Sequence, residues 1–248
     1  MTDVMPGAEP FVYDGGQVGC LLLHGFTGTP QEMRRLAEFL HRHGFSVRCP
    51  LLAGHGTHVE TLSATSWRDW HQSTYQGWTL LRQSCTHTFA IGQSLGGALA
   101  LHLAAHVSLS GVVAVASPLV VDPKLLWLAR LLKHLLHYRR KGPSNILDPQ
   151  ALAARVAYDH TPIAGLEQSI LFLRHLLEDL LEVHRPVLLI HSRQDKSVSP
   201  QSMPRIYERL GTQHKGMMWL ENSGHIVTED LERERVYAAI EAFIEAHI

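Results

Sequence analysis

Short apolar runs and amphipathic stretches alternate along most of this chain. Residues 18–23 (VGCLLL), 45–49, 88–91, 112–116, 186–191 and 217–220 are brief and mostly apolar, which predicts buried strands. Helical patterns lie between them. Pro30 opens one that runs to about residue 43, with Met33, Leu36, Ala37 and Leu40 on one face and Gly44 as its stop. Residues 66–83 and the Ala- and Leu-rich run 98–105 read as two more. Residues 228–246 close the chain as an amphipathic helix whose apolar side holds Leu231, Val236, Ala239, Ile240 and Phe243. This alternation predicts the α/β class: a mostly parallel central sheet with helices on both faces.

One region breaks the rhythm. Residues 117–183 carry no strand pattern but two strongly apolar helical stretches, 125–137 and 166–181. An all-helical insertion at a strand end is a candidate cap over a site. The predicted organisation is a core of residues 1–116 and 184–248 with a small helical cap of residues 117–183. The first cap helix is apolar over much of its circumference, with Arg130, Lys133, Arg139, Arg140 and Lys141 on or beside it. It is expected to pack on the body with its basic residues in water, so contact with lipid is expected to be transient at most.

Composition narrows the function. The 248 residues are 45% apolar and 18% charged, the balance of an ordinary globular protein. A net charge of −1 provides no basic field for nucleic acid. No basic-then-apolar leader opens the chain, and no apolar run reaches the ~20 residues of a membrane span. The three cysteines, Cys20, Cys49 and Cys85, have no paired spacing, so buried thiols in a reducing, cytoplasmic setting are expected. Eighteen histidines are many, and they would begin to charge in mild acid, near ~6.5. His102 and His106 stand four apart on a helix, but no third ligand is evident in sequence, so they are expected to be solvated helix histidines. The pairs His41/His43, His55/His58 and His134/His137 read the same way, with His55 shaping a loop near the site. No metal and no cofactor are expected. Trp67, Trp70 and Trp78 have roughly helical spacing and are expected in the core.

The chemistry concentrates at strand ends. Gly92-Gln93-Ser94-Leu95-Gly96 has the form of a nucleophile elbow, a sharp strand-to-helix turn that lifts a serine hydroxyl above a sheet. Side chains at Gly92 or Gly96 would clash there, and Gly97 lets the helix approach. A serine nucleophile needs a base, and the base needs an orienting carboxylate. Asp195 follows the strand ending near His191, and His225 follows the strand ending near Leu220. Both sit where open α/β sheets place their sites. Asp122, Asp148 and Glu221 compete for the acid role. After the strand 18–23, Gly25 and Gly28 let the backbone bend so that the Phe26 N–H can aim at an oxyanion, with the Leu95 N–H as second donor. His24 is expected to shape that loop.

These residues carry a family resemblance. HGFTGTP from His24 to Pro30, AGHG from Ala53 to Gly56, GQSLGG from Gly92 to Gly97, DKSVSP from Asp195 to Pro200 and SGH from Ser223 to His225 resemble the α/β-hydrolase-fold carboxylesterases, closest to small bacterial carboxylesterases and monoacylglycerol lipases. The likeness spans nearly the whole chain and is weakest in residues 117–183. It implies Ser94, Asp195 and His225 as a catalytic triad, the Phe26 and Leu95 amides as an oxyanion hole, and a small cap. It implies a small-molecule ester substrate: short- to medium-chain esters or monoacylglycerols. Two alternatives stay open: an amide or C–C bond hydrolase on the same triad, and a non-catalytic ligand-binding protein on the same scaffold.

Overall fold

The apolar runs become strands of one sheet because both faces of that sheet are covered. The computed structural model describes residues 4–119 and 123–248. The first half of the chain forms β1 (Phe11–Tyr13), β2 (Val18–Leu23), α1 (Gln31–Arg42), β3 (Ser46–Cys49), α2 (Val59–Ser63), α3 (Trp67–Leu81), β4 (His87–Gln93), α4 (Leu95–His106) and β5 (Gly111–Val115). Next come α5 (Pro123–Leu132), β6 (Tyr138–Arg140), α6 (Pro149–Ala153), β7 (His160–Pro162) and α7 (Ile163–Asp179). The chain finishes with β8 (Val187–Ser192), α8 (Ser202–Arg209), β9 (Lys215–Leu220) and α9 (Arg233–Glu245).

Seven strands lie in the order β1-β3-β2-β4-β5-β8-β9. Only the edge strand β1 is antiparallel to its neighbour; the other pairs are parallel. Side chains alternate between two cores, as the period of two requires. Leu21, Leu23, Ala90, Val112 and Ala114 face α3, α4 and α7. Cys20, Leu22, Phe89, Ile91 and Val113 face α1 and α9. Cys20, Cys49 and Cys85 are free and buried. Trp70 and Trp78 are buried as expected, while Trp67 packs against the same core from a partly exposed position.

Four expectations need correction. Residues 117–183 do contain strands: β6 and β7 pair as an antiparallel ribbon, Arg139 opposite Thr161. Each is three residues long and polar, so no alternation marks it. The first helix of this region ends at Leu132, short of residue 137. Leu126 and Ala129 pack on Ile170, but Trp127, Leu128 and Leu131 stand exposed, Trp127 at 66%. Its basic residues are only partly left in water: Arg130 Nε (3.3 Å) and Lys133 Nζ (2.7 Å) reach the buried Glu167 carboxylate, while Arg130, Arg139 and Arg140 remain exposed. Finally, α9 begins at Arg233 rather than at residue 228, and Leu231 is 56% exposed. The Asp230 carboxylate explains this late start. It accepts N–H groups from Leu147 (3.0 Å), Asp148 (2.8 Å), Gly224 (2.6 Å) and Leu231 (2.9 Å), and these hold the preceding turn out of helix. Among the described residues, no helix is long and apolar enough to cross a membrane.

Glu229, in that same turn, is 3% exposed, and neither carboxylate oxygen makes a hydrogen bond. Arg35 Nε lies 3.3 Å away and offsets part of the charge. Burial, reinforced by Glu32 and Glu38, pushes this carboxyl up to about 7 from its ordinary 4.5. Below pH 4.5 the group is neutral in both folded and unfolded chains. Above it the unfolded chain ionises first, so stability falls until the pH passes about 7. We expect a loss of about 3 kcal/mol from this group across that window. Glu229→Gln should remove that part of the slope, as urea unfolding at both ends of the window would measure.

Candidate active site

The sharpest turn in the chain joins β4 to α4. Ser94 has φ 56° and ψ −119°, a conformation that side chains rarely adopt. A Cβ on Gly92 would lie 2.1 Å from the Gly96 carbonyl carbon, and one on Gly96 would lie 2.1 Å from the Leu23 oxygen. Only hydrogens fit at these positions, so the two glycines set how closely the helix approaches β2 and β4. The Ser94 N–H donates to the Val115 carbonyl (2.7 Å), which ties the turn to β5.

The structure brings Ser94, Asp195 and His225 together from three strand ends. His225 Nε2 lies 3.0 Å from Ser94 Oγ, and His225 Nδ1 lies 2.7 Å from Asp195 Oδ2. The carboxylate fixes the tautomer: Nδ1–H donates to Asp195, which leaves Nε2 to accept from the serine hydroxyl. Asp195 Oδ1 accepts the Ser197 (2.8 Å) and Val198 (2.9 Å) N–H groups. Asp195 Oδ2 also accepts from His191 Nε2 (3.0 Å), a fully buried residue. Burial alone would raise this carboxyl, but the hydrogen bonds from His191 and His225 outweigh it and hold it well below the usual carboxylate range. The acid therefore stays ionised. The competing acids are engaged elsewhere: Asp148 caps α6 and bonds Arg233, and Glu221 pairs with Arg193 at the surface. Asp122 lies outside the described residues.

Groups that sequence reading missed hold these loops. The His225 N–H donates to the Asn145 carbonyl (2.7 Å), and the Gln93 amide donates to the His225 carbonyl (2.8 Å). Asn145 Oδ1 also accepts the Lys196 N–H (2.8 Å), so one residue grips both the acid loop and the histidine loop. Glu32, at 1% exposure, accepts the Gly25 N–H (3.3 Å) and pairs with Arg155 (3.1 Å). An acid on the buried face of α1, directly after a glycine loop, is the sequence signal that could have found it. His191 sits four residues before Asp195, at the end of a strand, and that spacing could have marked it.

The Phe26 N–H has no protein acceptor among the described residues, and Leu95, first in α4, has no intrahelical partner. Phe26, Leu95, Ser94 and His225 line one cavity of about 510 Å³. His24 shapes the glycine loop, with Nδ1 donating to the Gly25 carbonyl (3.0 Å) and Nε2 accepting from the Leu52 N–H (3.2 Å). His55 packs edge-on against His24, and burial pulls both rings below the ordinary histidine range.

His102 overturns its expectation. It is 6% exposed and bonds Asp179 of α7 (2.7 Å), which also reaches His106 (3.3 Å). The helix α4 is buried nearly all round as far as Ala104, so His102 faces neighbours rather than water, while His106 at the helix end is exposed as expected.

Comparison with known proteins places this architecture. The model of the alpha/beta hydrolase family matches residues 20–239. This chain belongs to that family. It is 34% identical over 245 residues to a thermostable monoacylglycerol lipase of Bacillus sp. strain H-257, covering 98% of this chain and 97% of that one. It is 28% identical over 241 residues to a carboxylesterase of Bacillus subtilis strain 168, covering 96% of each. A solved structure of metagenome-derived lipolytic enzymes superposes with a TM-score of 0.94 at 32% identity, over 99% of this chain and 100% of that chain. Alpha/beta hydrolases share the strand-turn-helix that seats Ser94 here.

The strained turn makes a prediction. A residue held at φ 56° costs of order 1–3 kcal/mol, and glycine relieves that cost. Ser94→Gly should therefore be about 1 kcal/mol more stable than Ser94→Ala, although glycine usually destabilises. Parallel urea denaturation of the two variants measures the difference.

Proposed function

We propose that the protein is a serine carboxylic-ester hydrolase that acts on short- to medium-chain esters or monoacylglycerols through an acyl-enzyme on Ser94. The observation that carries this reading is the continuous relay from Asp195 through His225 to Ser94, at 2.7 and 3.0 Å, opening on a cavity. The lipase and carboxylesterase relatives support the ester class.

The chemistry follows from the geometry. His225 Nε2 takes the Ser94 proton as Oγ attacks the ester carbonyl carbon. The carbonyl oxygen gains negative charge, which the Phe26 and Leu95 N–H groups would stabilise, each worth roughly 10²- to 10³-fold in rate. The tetrahedral intermediate collapses, and the alcohol leaves with the proton from His225. Water then gives its proton to His225 and attacks the acyl-enzyme, releasing the carboxylic acid and restoring Ser94. Asp195 stays ionised throughout and stabilises the imidazolium.

Residues 117–183 serve as the cap in this reading. A Cβ on Gly165 would lie 2.9 Å from the Phe26 ring, so α7 rests directly on the oxyanion loop. Leu166, Ile170 and Leu173 of α7 line the cavity and suit a hydrocarbon chain.

Ser94→Ala should abolish hydrolysis of p-nitrophenyl butyrate while far-UV circular dichroism stays unchanged. A fluorophosphonate probe should label the wild-type protein at Ser94, which peptide mass mapping would locate. Retained turnover in the variant, or an inert wild-type protein, would sink the reading.

A further inference from the structure

The cleft that holds Ser94 has two unlike walls. One is apolar and comes mainly from α7, through Leu166, Ile170 and Leu173. The other comes from β6 and the segment after it, through Arg139, Arg140 and Lys141, joined by Arg155. Among the described residues that line the cleft, none is Asp or Glu. The chain as a whole is almost neutral, with 22 Lys and Arg against 23 Asp and Glu, so this concentration of positive charge is local.

Three of the four cations have no counter-ion among the described residues. No described carboxylate forms an ion pair with Arg139, Arg140 or Lys141. Arg155 pairs with Glu32 through Nη2, but its Nε is buried without a partner. Lys141 is partly buried, and its ammonium meets only the Thr27 carbonyl at 3.4 Å. Burial and the adjacent Arg155 pull it down to about 8, against the opposing pull of Glu32 and Asp159. Thr27 follows Phe26, so this ammonium stands one residue from a proposed oxyanion donor. Arg140, Lys141 and Arg155 also line an adjoining cavity of about 730 Å³, in which Asp159 is the one lining carboxylate among the described residues. Solvated arginines need no partner on a convex surface. In a concave site with low-dielectric walls, like charges reinforce one another and draw in an anion.

An ester has two arms, and the walls sort them. We propose that the cleft takes esters with one hydrocarbon arm and one anionic arm, the anion being a phosphate or carboxylate on the alcohol moiety, seated among Arg139, Arg140, Lys141 and Arg155. This substrate class rests on the ester-hydrolase reading above. Hydrolysis breaks the acyl C–O bond, places the hydroxyl of water on the acyl carbon, and returns the proton to the alcohol oxygen. The anionic group leaves unchanged on the alcohol.

The test compares octanoyl glycerol, octanoyl glycerol phosphate and octanoyl lactate as substrates of the wild-type protein. We expect kcat/KM at least about tenfold higher for an anionic ester than for the neutral one at low salt, with the gap closing as salt screens it. Preference for both anionic esters indicates recognition of charge, and preference for the phosphate alone identifies that group. Arg140→Gln should shrink the anionic-to-neutral ratio several-fold, whereas a merely structural role would lower both esters alike. Equal or lower kcat/KM for the anionic esters, with octanoyl glycerol still hydrolysed, overturns the proposal and leaves the ester-hydrolase reading standing. If no ester is hydrolysed, that reading fails instead. Binding to Ser94→Ala then decides the subsite by calorimetry. Octyl phosphate should bind at least about tenfold tighter than octanol. Equal affinity overturns the anion site.

Discussion

The contact between α4 and the edges of β2 and β4 is the constraint on which the site depends. It is a backbone-to-backbone contact, with no room for a single carbon at Gly92 or Gly96. That closeness holds Ser94 at φ 56°, with its hydroxyl 3.0 Å from His225 Nε2. It also leaves the Leu95 N–H at the open end of a helix, where the backbone dipole favours negative charge. The strain at Ser94 is opposed by its N–H bond to Val115 and by a helix buried nearly all round. The core thus maintains a local conformation that the turn would not keep alone.

The segment between β5 and β8 does more than cover the sheet. Asn145 bonds the histidine loop and the acid loop at once, and a Cβ on Gly224 would lie 2.3 Å from its carbonyl oxygen. Asp230 bonds the histidine loop and the backbone of Leu147 and Asp148 together. Arg155 reaches Glu32, which holds Gly25. All three loops around Ser94 are therefore held by one segment, residues 145–155. A change there can reach the chemistry without touching a reacting atom.

This pattern explains what could be read from the sequence. The buried parallel strands were legible because burial on both faces produces apolar runs, and the elbow because only glycine satisfies its contacts. Asp195 and His225 were legible because strand ends of an α/β sheet converge. Glu32 and Asn145 were hidden because their partners lie far away in sequence: Arg155 stands more than a hundred residues from Glu32. The ribbon of β6 and β7 was hidden because three polar residues carry no period. His102 was misjudged because a spacing of four cannot say whether a helix face meets water or another helix. Leu231 was misjudged because amphipathic spacing continues past the point where Asp230 breaks the helix.

The charges around the site divide along the same line. The acids lie behind it, and most are buried against donors: Asp195 against two histidines and two N–H groups, Glu32 against Arg155 and Gly25, Asp230 against backbone N–H groups. The cations lie in front, on β6 and the segment after it, and most have no counter-ion among the described residues. A carboxylate placed in front would neutralise the cleft; one removed from behind would free a loop. The two sets answer to different demands, the rear set to geometry and the front set to whatever enters. Arg139 and Arg140 ride on a short polar ribbon outside the main sheet, so their charge can vary with little effect on the core, whereas Arg155 also pairs with the buried Glu32 and belongs to both sets. The charge of the cleft and the loops around Ser94 thus meet at one residue, Arg155.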